Sequence, residues 1–223
     1  MDVFELTEAL VSIPSPTGSE GAVGDYLSAY LKSLNFDVRE QDVEPGRRNL
    51  FAAQSAKPKV VFCTHMDTVP GHIPASEDET FIYGRGACDA KGIMAALIAA
   101  AVDLNQDGIK DVGLLFVVGE ETDSLGARRA NSLKGGSRFL VVGEPTENKL
   151  GRGHKGVLTI RLSARGRRAH SAFPELGESA VEKLLDALAV LRSLDLGEDP
   201  VLGRSLMNIG RIEGGTAPNV VPD

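Results

Sequence analysis

Carboxylates and one imidazole recur at the ends of apolar runs in this sequence. The run "VVFC" leads into His65 and Asp67. "LLFVVG" leads into Glu120 and Glu121, and "FLVVG" into Glu144, while Asp89 lies in the glycine-rich loop "YGRGACDAKG" ahead of a long apolar segment. In open α/β sheets the ligand site lies beyond the carboxyl ends of the strands, so these groups are expected to meet on one rim. So many carboxylates together repel unless a cation sits among them, and metal coordination is the usual remedy. A histidine with several Asp and Glu suits zinc, with cobalt or manganese able to replace it.

Taken singly, each piece has a blander reading. A lone His-x-Asp is more often a surface pair than a metal site, paired glutamates commonly end a strand or enter a helix, and Glu144-Pro145 reads equally as a turn. "GRGACD" resembles a dinucleotide fingerprint, but Asp89 stands where the third glycine belongs and would repel a pyrophosphate. Cys63 and Cys88 read as small buried thiols, with Cys88 beside Asp89 as a candidate ligand, His72 reads as solvent-facing, and His154 carries no assigned role. The order and strand context of the whole set are what point to a metal centre.

The elements that must position these groups follow from periodicity. Ala22, Val23, Tyr26, Leu27, Tyr30, Leu31 and Leu34 keep the i, i+3, i+4 rhythm of an amphipathic helix. Short extended segments are expected at 36–40, 50–53 and the "VVFC" run, then a helix over about 91–105 and buried strands at 112–118 and 139–142. Apolar strands alternating with helices imply an α/β fold: a mixed, largely parallel sheet with helices on both faces. Beyond Gly151 the texture changes. "VLTIRLSA" (157–164) alternates as a half-buried strand, Ala180 to Leu194 form a second amphipathic helix, and "LMNIGRI" (206–212) reads as another strand. The expected division is 1–153 for an α/β metal-binding domain and 154–223 for part of an α+β subdomain, half of a ferredoxin-like unit.

Length and charge narrow the class. At 223 residues and 42% hydrophobic content the chain can bury a sizeable core. A net charge of −7 argues against a nucleic-acid partner, and the basic "RGRR" at 165–168 reads as a solvated strand end. The longest apolar run, "IMAALIAAAV", is too short to cross a bilayer. Two cysteines and a plain "MDVFELTEAL" start fit a reducing cytoplasm.

The segments "THMDTVP", "YGRGACDAKG", "GEETDSLGA", "VVGEPT", "GRRAHSAFPELGESA" and "GRIEGGTAPNVVPD", in that order, resemble the zinc-dependent aminoacylase, acetylornithine deacetylase, succinyl-diaminopimelate desuccinylase and carboxypeptidase G family of co-catalytic metallopeptidases. The resemblance implies that His65 and Glu144 belong to one zinc ion, that Asp89 bridges two, and that Glu121 belongs to the other. It implies Glu120 as general base, Asp67 as the acid that orients the imidazole, and His170 as a lid histidine that polarises the substrate carbonyl, in dimeric members from the partner subunit. The chemistry implied is two-metal hydrolysis of an amide in a small substrate with a free carboxylate. An N-acyl amino acid such as acetylornithine or acetyl-lysine leads, with a dipeptidase or carboxypeptidase activity as the near alternative. A homodimer through the lid is also implied.

The family pattern continues past the point where this sequence stops, into the rest of the lid and a further histidine ligand of the Glu121 ion. The expectation is a truncated form, weakly active or inactive by itself. A non-catalytic binding or regulatory relic is the competing class; the intact Glu120 argues against it. A purely structural protein leaves the convergent carboxylates unexplained.

Overall fold

A computed structural model of the chain describes residues 2–133 and 136–223. By internal contacts it divides into two compact units, Met1–Lys149 and Leu150–Asp223.

The first unit opens with α1 (Val3–Val11), a helix outside the elements expected above. Its signal is local: Asp2 accepts from the backbone N–H groups of Phe4 and Glu5, and the Glu5 carboxylate accepts from the N–H of Asp2, a reciprocal capping box. Helix α2 (Gly21–Ser33) buries Val23, Leu27 and Leu31, the stripe its periodicity marked. The strands follow as β1 (Asp37–Glu44), β2 (Arg47–Ala53), β3 (Val60–His65), a small hairpin of β4 (Ser76–Glu77) and β5 (Ile82–Tyr83), then β6 (Val112–Val117) and β7 (Phe139–Val142). Helix α3 (Gly92–Gln106) precedes β6, and the short α4 (Leu125–Ala130) follows it.

Five strands make one sheet in the order β1-β2-β6-β3-β7. The β1–β2 hairpin is antiparallel, β2 pairs antiparallel with β6, and β3 lies parallel to both β6 and β7. The fold is therefore α/β with a mixed sheet, as the strand patterns imply. Side-chain alternation divides its two faces. Leu50, Ala52, Leu114 and Phe116 point into the main core with Leu6, Leu10, Leu27, Leu31, Met94 and Ile98 of α1, α2 and α3. Phe51, Ala53 and Val61 form a smaller cluster on the opposite face, joined by Leu115 and Leu133, and α4 packs on that side of the hairpin and β6.

Strand β7 departs from expectation. It forms, but all four of its residues are exposed, Phe139 by 57%. An edge strand has one neighbour, here β3, and apolar composition does not supply a cover.

The second unit contains β8 (Ala169–His170), a short 3-10 turn at Pro174–Leu176, α5 (Ala180–Ser193), the paired β9 (Glu198–Asp199) and β10 (Gly203–Arg204), and β11 (Val220–Val221), which pairs antiparallel with β8. Ser179 caps α5 by accepting from the N–H of Glu182. The strands expected at 157–164 and 206–212 do not form ladders, and Val157, Leu158 and Leu206 are largely exposed. Alternation marks the face a strand would bury, but a strand exists only where a neighbour supplies hydrogen bonds. Among the described residues no helix is long and apolar enough to cross a membrane.

Candidate metal centre

Parallel pairing brings the strand ends level. Thr64 and His65 of β3 lie opposite Phe116 and Val117 of β6, and Cys63 lies opposite Val142 of β7. The ladder continues one step further, with Met66 N–H on the Val117 carbonyl and Gly143 N–H on the Cys63 carbonyl, each at 2.8 Å. The residues that follow, His65 to Asp67, Gly119 to Glu121 and Gly143 to Glu144, therefore emerge along one rim.

Asp89 arrives by another route. It sits in a wide helical turn, Ala87–Lys91, that runs into α3. The turn is anchored by Lys91, whose buried Nζ donates to the Ile13 carbonyl at 2.5 Å. Gly86, at φ +86, accepts Lys91 N–H on its carbonyl, and a Cβ there would come within 2.9 Å of Thr68 and 3.0 Å of the Lys91 stem. Only glycine fits that position.

His65 and Asp67 are almost fully buried, 2% and 1% exposed. The ring Nδ1 of His65 lies 2.8 Å from the Asp67 carbonyl oxygen, which makes Nδ1 the donor and turns Nε2 outward. Nε2 is 2.9 Å from Oδ1 of Asp89. Ligand atoms of His65, Asp89 and Glu121 all fall within 4.8 Å of one another. The Asp67 carboxylate faces the same Nδ1 at the longer distance of 3.5 Å, and its shorter hydrogen bonds come from other groups. It accepts from the Thr17 hydroxyl at 2.7 Å and from the N–H groups of Glu120 and Glu121 at 3.0 and 3.1 Å.

The electrostatics describe a donor set short of positive charge. Burial opposes a proton on His65, yet hydrogen bonds with Asp67 and Asp89 and the charge of Glu144 raise it to about 9. Burial and then Asp89 push Glu121 upward; burial, with Asp89, Glu120 and Glu121, does the same to Glu144. Asp67 goes the other way. Burial disfavours its charge, but the bonds from His65, Thr17, Glu120 and Glu121 hold it down at about 2. A divalent cation would relieve the crowding of carboxylates and displace the proton from the imidazole, so the residues fit a metal.

Cys63 is buried, and burial followed by the Glu144 charge pushes its thiol up to about 12, which leaves it inert. Cys88, expected to be buried like Cys63, is instead exposed, because it lies in the loop turn next to Asp89 and not in a strand, and it is not part of the clustered donors. His170 lies in β8 of the second unit, where its Nδ1 accepts the Ala172 N–H at 3.1 Å and its ring leans on Phe173. Sequence reasoning missed Thr17 and Lys91. Thr17 sits in "PSPTG", where turn chemistry is legible but a partner fifty positions away is not.

The profile of peptidase family M20/M25/M40 matches residues 61–204, a span that contains His65, Asp67, Asp89, Glu120, Glu121, Glu144 and His170. A protein named "probable carboxypeptidase" from Emericella nidulans is 41% identical over 254 residues, covering 98% of this chain and 59% of its own length. A peptidase M20 domain-containing protein of Schizosaccharomyces pombe is 41% identical over 229 residues, covering 99% of this chain and 57% of its own. The chain thus spans under two thirds of these relatives. Among solved structures, a tripeptidase from Staphylococcus aureus shares the fold with a TM-score of 0.68 at 23% identity, over 99% of this chain and 63% of that one. With the profile covering the greater part of the sequence and relatives aligned along nearly all of it, the chain that builds this rim of carboxylates around His65 belongs to peptidase family M20/M25/M40.

Proposed function

We propose that this protein takes part in metal-dependent hydrolysis of an amide bond in a small peptide or N-acyl amino acid. The observation that carries the reading is the convergence of His65, Asp89 and Glu121 within 4.8 Å on the rim of the sheet. His65, Asp89 and Glu144 would hold one zinc ion, and Asp89 with Glu121 would contribute to a second; cobalt or manganese could replace zinc. When bound, such ions polarise a carbonyl and acidify water.

The chain's own groups do the rest. The Asp67 carbonyl fixes the His65 tautomer so that Nε2 faces the donors. The Asp67 carboxylate holds the backbone of Glu120 and Glu121. Glu120, exposed at the rim, would take a proton from the attacking water and return it to the leaving amine. His170 is assigned the part of donating to the carbonyl oxygen as charge develops there. In this reading the first unit is the catalytic domain and the second belongs to a lid that also pairs subunits.

The name of the Emericella nidulans relative favours a peptide substrate and a carboxypeptidase reaction, with a dipeptidase reaction as the near variant. The motifs "GRGACDAKG" and "VVGEPT" favour the acetylornithine or acetyl-lysine deacetylase branch. The test is zinc titration of the metal-stripped chain by calorimetry, followed by release of amine from dipeptides, N-acetylornithine and N-acetyl-lysine. Tight zinc binding abolished by His65→Ala supports the reading, and the substrate that turns over chooses the branch. Absence of zinc binding to the parent chain would sink it.

A further inference from the structure

Asn49 lies in β2 with no exposed surface, and nothing in the metal chemistry calls for it. The β2–β6 ladder has its last pair at Leu50 and Phe116. Where the backbone pairing stops, the Asn49 side chain takes over. Its Oδ1 accepts the Val118 N–H at 3.2 Å, and its Nδ2 donates to the Gly126 carbonyl at 2.8 Å. Gly126 N–H in turn donates to the Val118 carbonyl at 3.0 Å. One buried amide therefore grips both ends of the loop 119–125, which carries Glu120 and Glu121.

The grip needs close approach. A Cβ on Gly126 would lie 2.3 Å from the Val118 carbonyl oxygen and 2.6 Å from Asn49 Oδ1, distances no side chain tolerates. Within the loop, the Asp67 carboxylate holds the N–H groups of Glu120 and Glu121. The loop is thus clamped at its base by Asn49 and at its crest by Asp67.

We propose that Asn49 is a positioning residue: through Val118 and Gly126 it sets where Glu121 meets the metal and where Glu120 meets the water. The inference rests on the metal-hydrolase reading above. An amide is suited to the task because it offers an acceptor and a donor side by side, and a buried amide with all its partners satisfied is rigid. Glutamine is too long, and aspartate has no donor.

The test compares Asn49→Asp, which keeps the shape and loses the donor, with Asn49→Ala and with Gln41→Ala. Gln41 is the third partner of Asn49, accepting from Nδ2 at 2.9 Å, and lies outside the clamp. Amide hydrogen exchange is read at Val118 and Gly126 in the metal-free protein, and zinc affinity by calorimetry. Exchange at both amides should quicken about tenfold or more in Asn49→Ala, which removes both bonds, and at Gly126 in Asn49→Asp, which keeps the acceptor of Val118 N–H. Zinc affinity should fall about tenfold in Asn49→Ala, as for other residues that hold metal ligands in place. Gln41→Ala, which leaves the Val118 and Gly126 bonds in place, should change both far less. In a Glu121→Ala background the Asn49 substitution should have no further effect on zinc, because the loop then delivers no ligand.

Unchanged exchange at Val118 and Gly126 overturns the clamp. An equal loss of zinc affinity with and without Glu121 overturns the positioning role and leaves a purely structural asparagine. If the parent chain binds no zinc, it is the metal reading that fails, and the exchange data still decide whether Asn49 orders this loop.

Discussion

The hydroxyl of Thr17 donates a 2.7 Å hydrogen bond to Oδ2 of Asp67, tying the loop ahead of α2 to the rim of the sheet. The backbone reinforces the tie, with Thr17 N–H on the Thr68 carbonyl, Thr68 N–H on the Ser15 carbonyl and the Ser15 hydroxyl on the Met66 carbonyl. Asp67 is buried and charged because four donors surround it, and Thr17 supplies the one that is neither histidine nor part of the loop Asp67 holds.

Replacing Thr17 by valine should remove about 2 kcal/mol of stability at neutral pH, the typical worth of a hydrogen bond to a charged group. The pH dependence has a definite sign. The folded value of Asp67, about 2, lies below its ordinary 3.8, so its contribution is complete above the ordinary value and is lost as pH falls through about 2. Thr17→Val raises the folded value, so the acid-unfolding midpoint of the metal-free protein should move to higher pH. Circular dichroism across the acid range reads this; an unmoved midpoint would show that Thr17 adds nothing to the carboxylate.

Arg47 and Glu20 form a two-pronged pair, Nε to Oε2 at 2.8 Å and Nη2 to Oε1 at 2.7 Å, with the Glu20 side chain wholly buried. Arg47→Ala should cost about 3–5 kcal/mol in urea unfolding because it strands a buried charge. Replacing both residues, Glu20→Gln with Arg47→Met, should cost less than Arg47→Ala alone. A double variant as unstable as the single one would count against the stranded charge as the cause.

Lys91 has its amine buried against the Ile13 carbonyl, and burial lowers it to about 8 from 10.5. Below about pH 8 both states carry the proton, and the fold bears the cost of the buried charge. Between about 8 and 10.5 the unfolded chain holds more protons, so this group makes stability rise with pH. Lys91→Met should remove that rise. Denaturant midpoints of parent and variant at pH 7 and pH 10 measure it, and identical slopes would mean the burial is not felt.

Glu120 and Glu121 are neighbours with different assignments, and isosteric substitution separates them. On the proposed assignment, Glu120→Gln should leave zinc affinity nearly unchanged while reducing whatever turnover the chain has by about two to four orders of magnitude, the usual worth of a general base. Glu121→Gln should weaken zinc binding itself. Calorimetry read beside an amine-release assay distinguishes them; zinc loss in Glu120→Gln would reverse the roles.

How much of this was legible before folding depends on the range of the interaction. The α2 stripe, the α3 run and the β3 and β6 cores are written in local periodicity, and they appear within a residue or two of where that periodicity places them. Helix α1 carries an equally local signal, Asp2 and Glu5 three apart, that a search for apolar stripes passes over. Strands at 157–164 and 206–212 failed for the opposite reason. Their alternation is local, but pairing is not, and exposed β7 shows the same limit from another side.

By itself the sequence determined which residue types stand at the ends of apolar runs, and hence that His65, Asp67, Asp89, Glu120, Glu121 and Glu144 were the groups to watch. Only the tertiary structure decided how they are held. The parallel register of β3 with β6 and β7 levels the strand ends. It also decided that Asp67 offers its carbonyl to His65 and its carboxylate to Thr17 and the Glu120–Glu121 backbone, and that Asn49 closes the loop from below. Apart from the His65–Asp67 bond, these hydrogen bonds join atoms fifty or more positions apart, and no local window on the sequence contains both partners. Composition names the donors and acceptors, and folding chooses which of them meet.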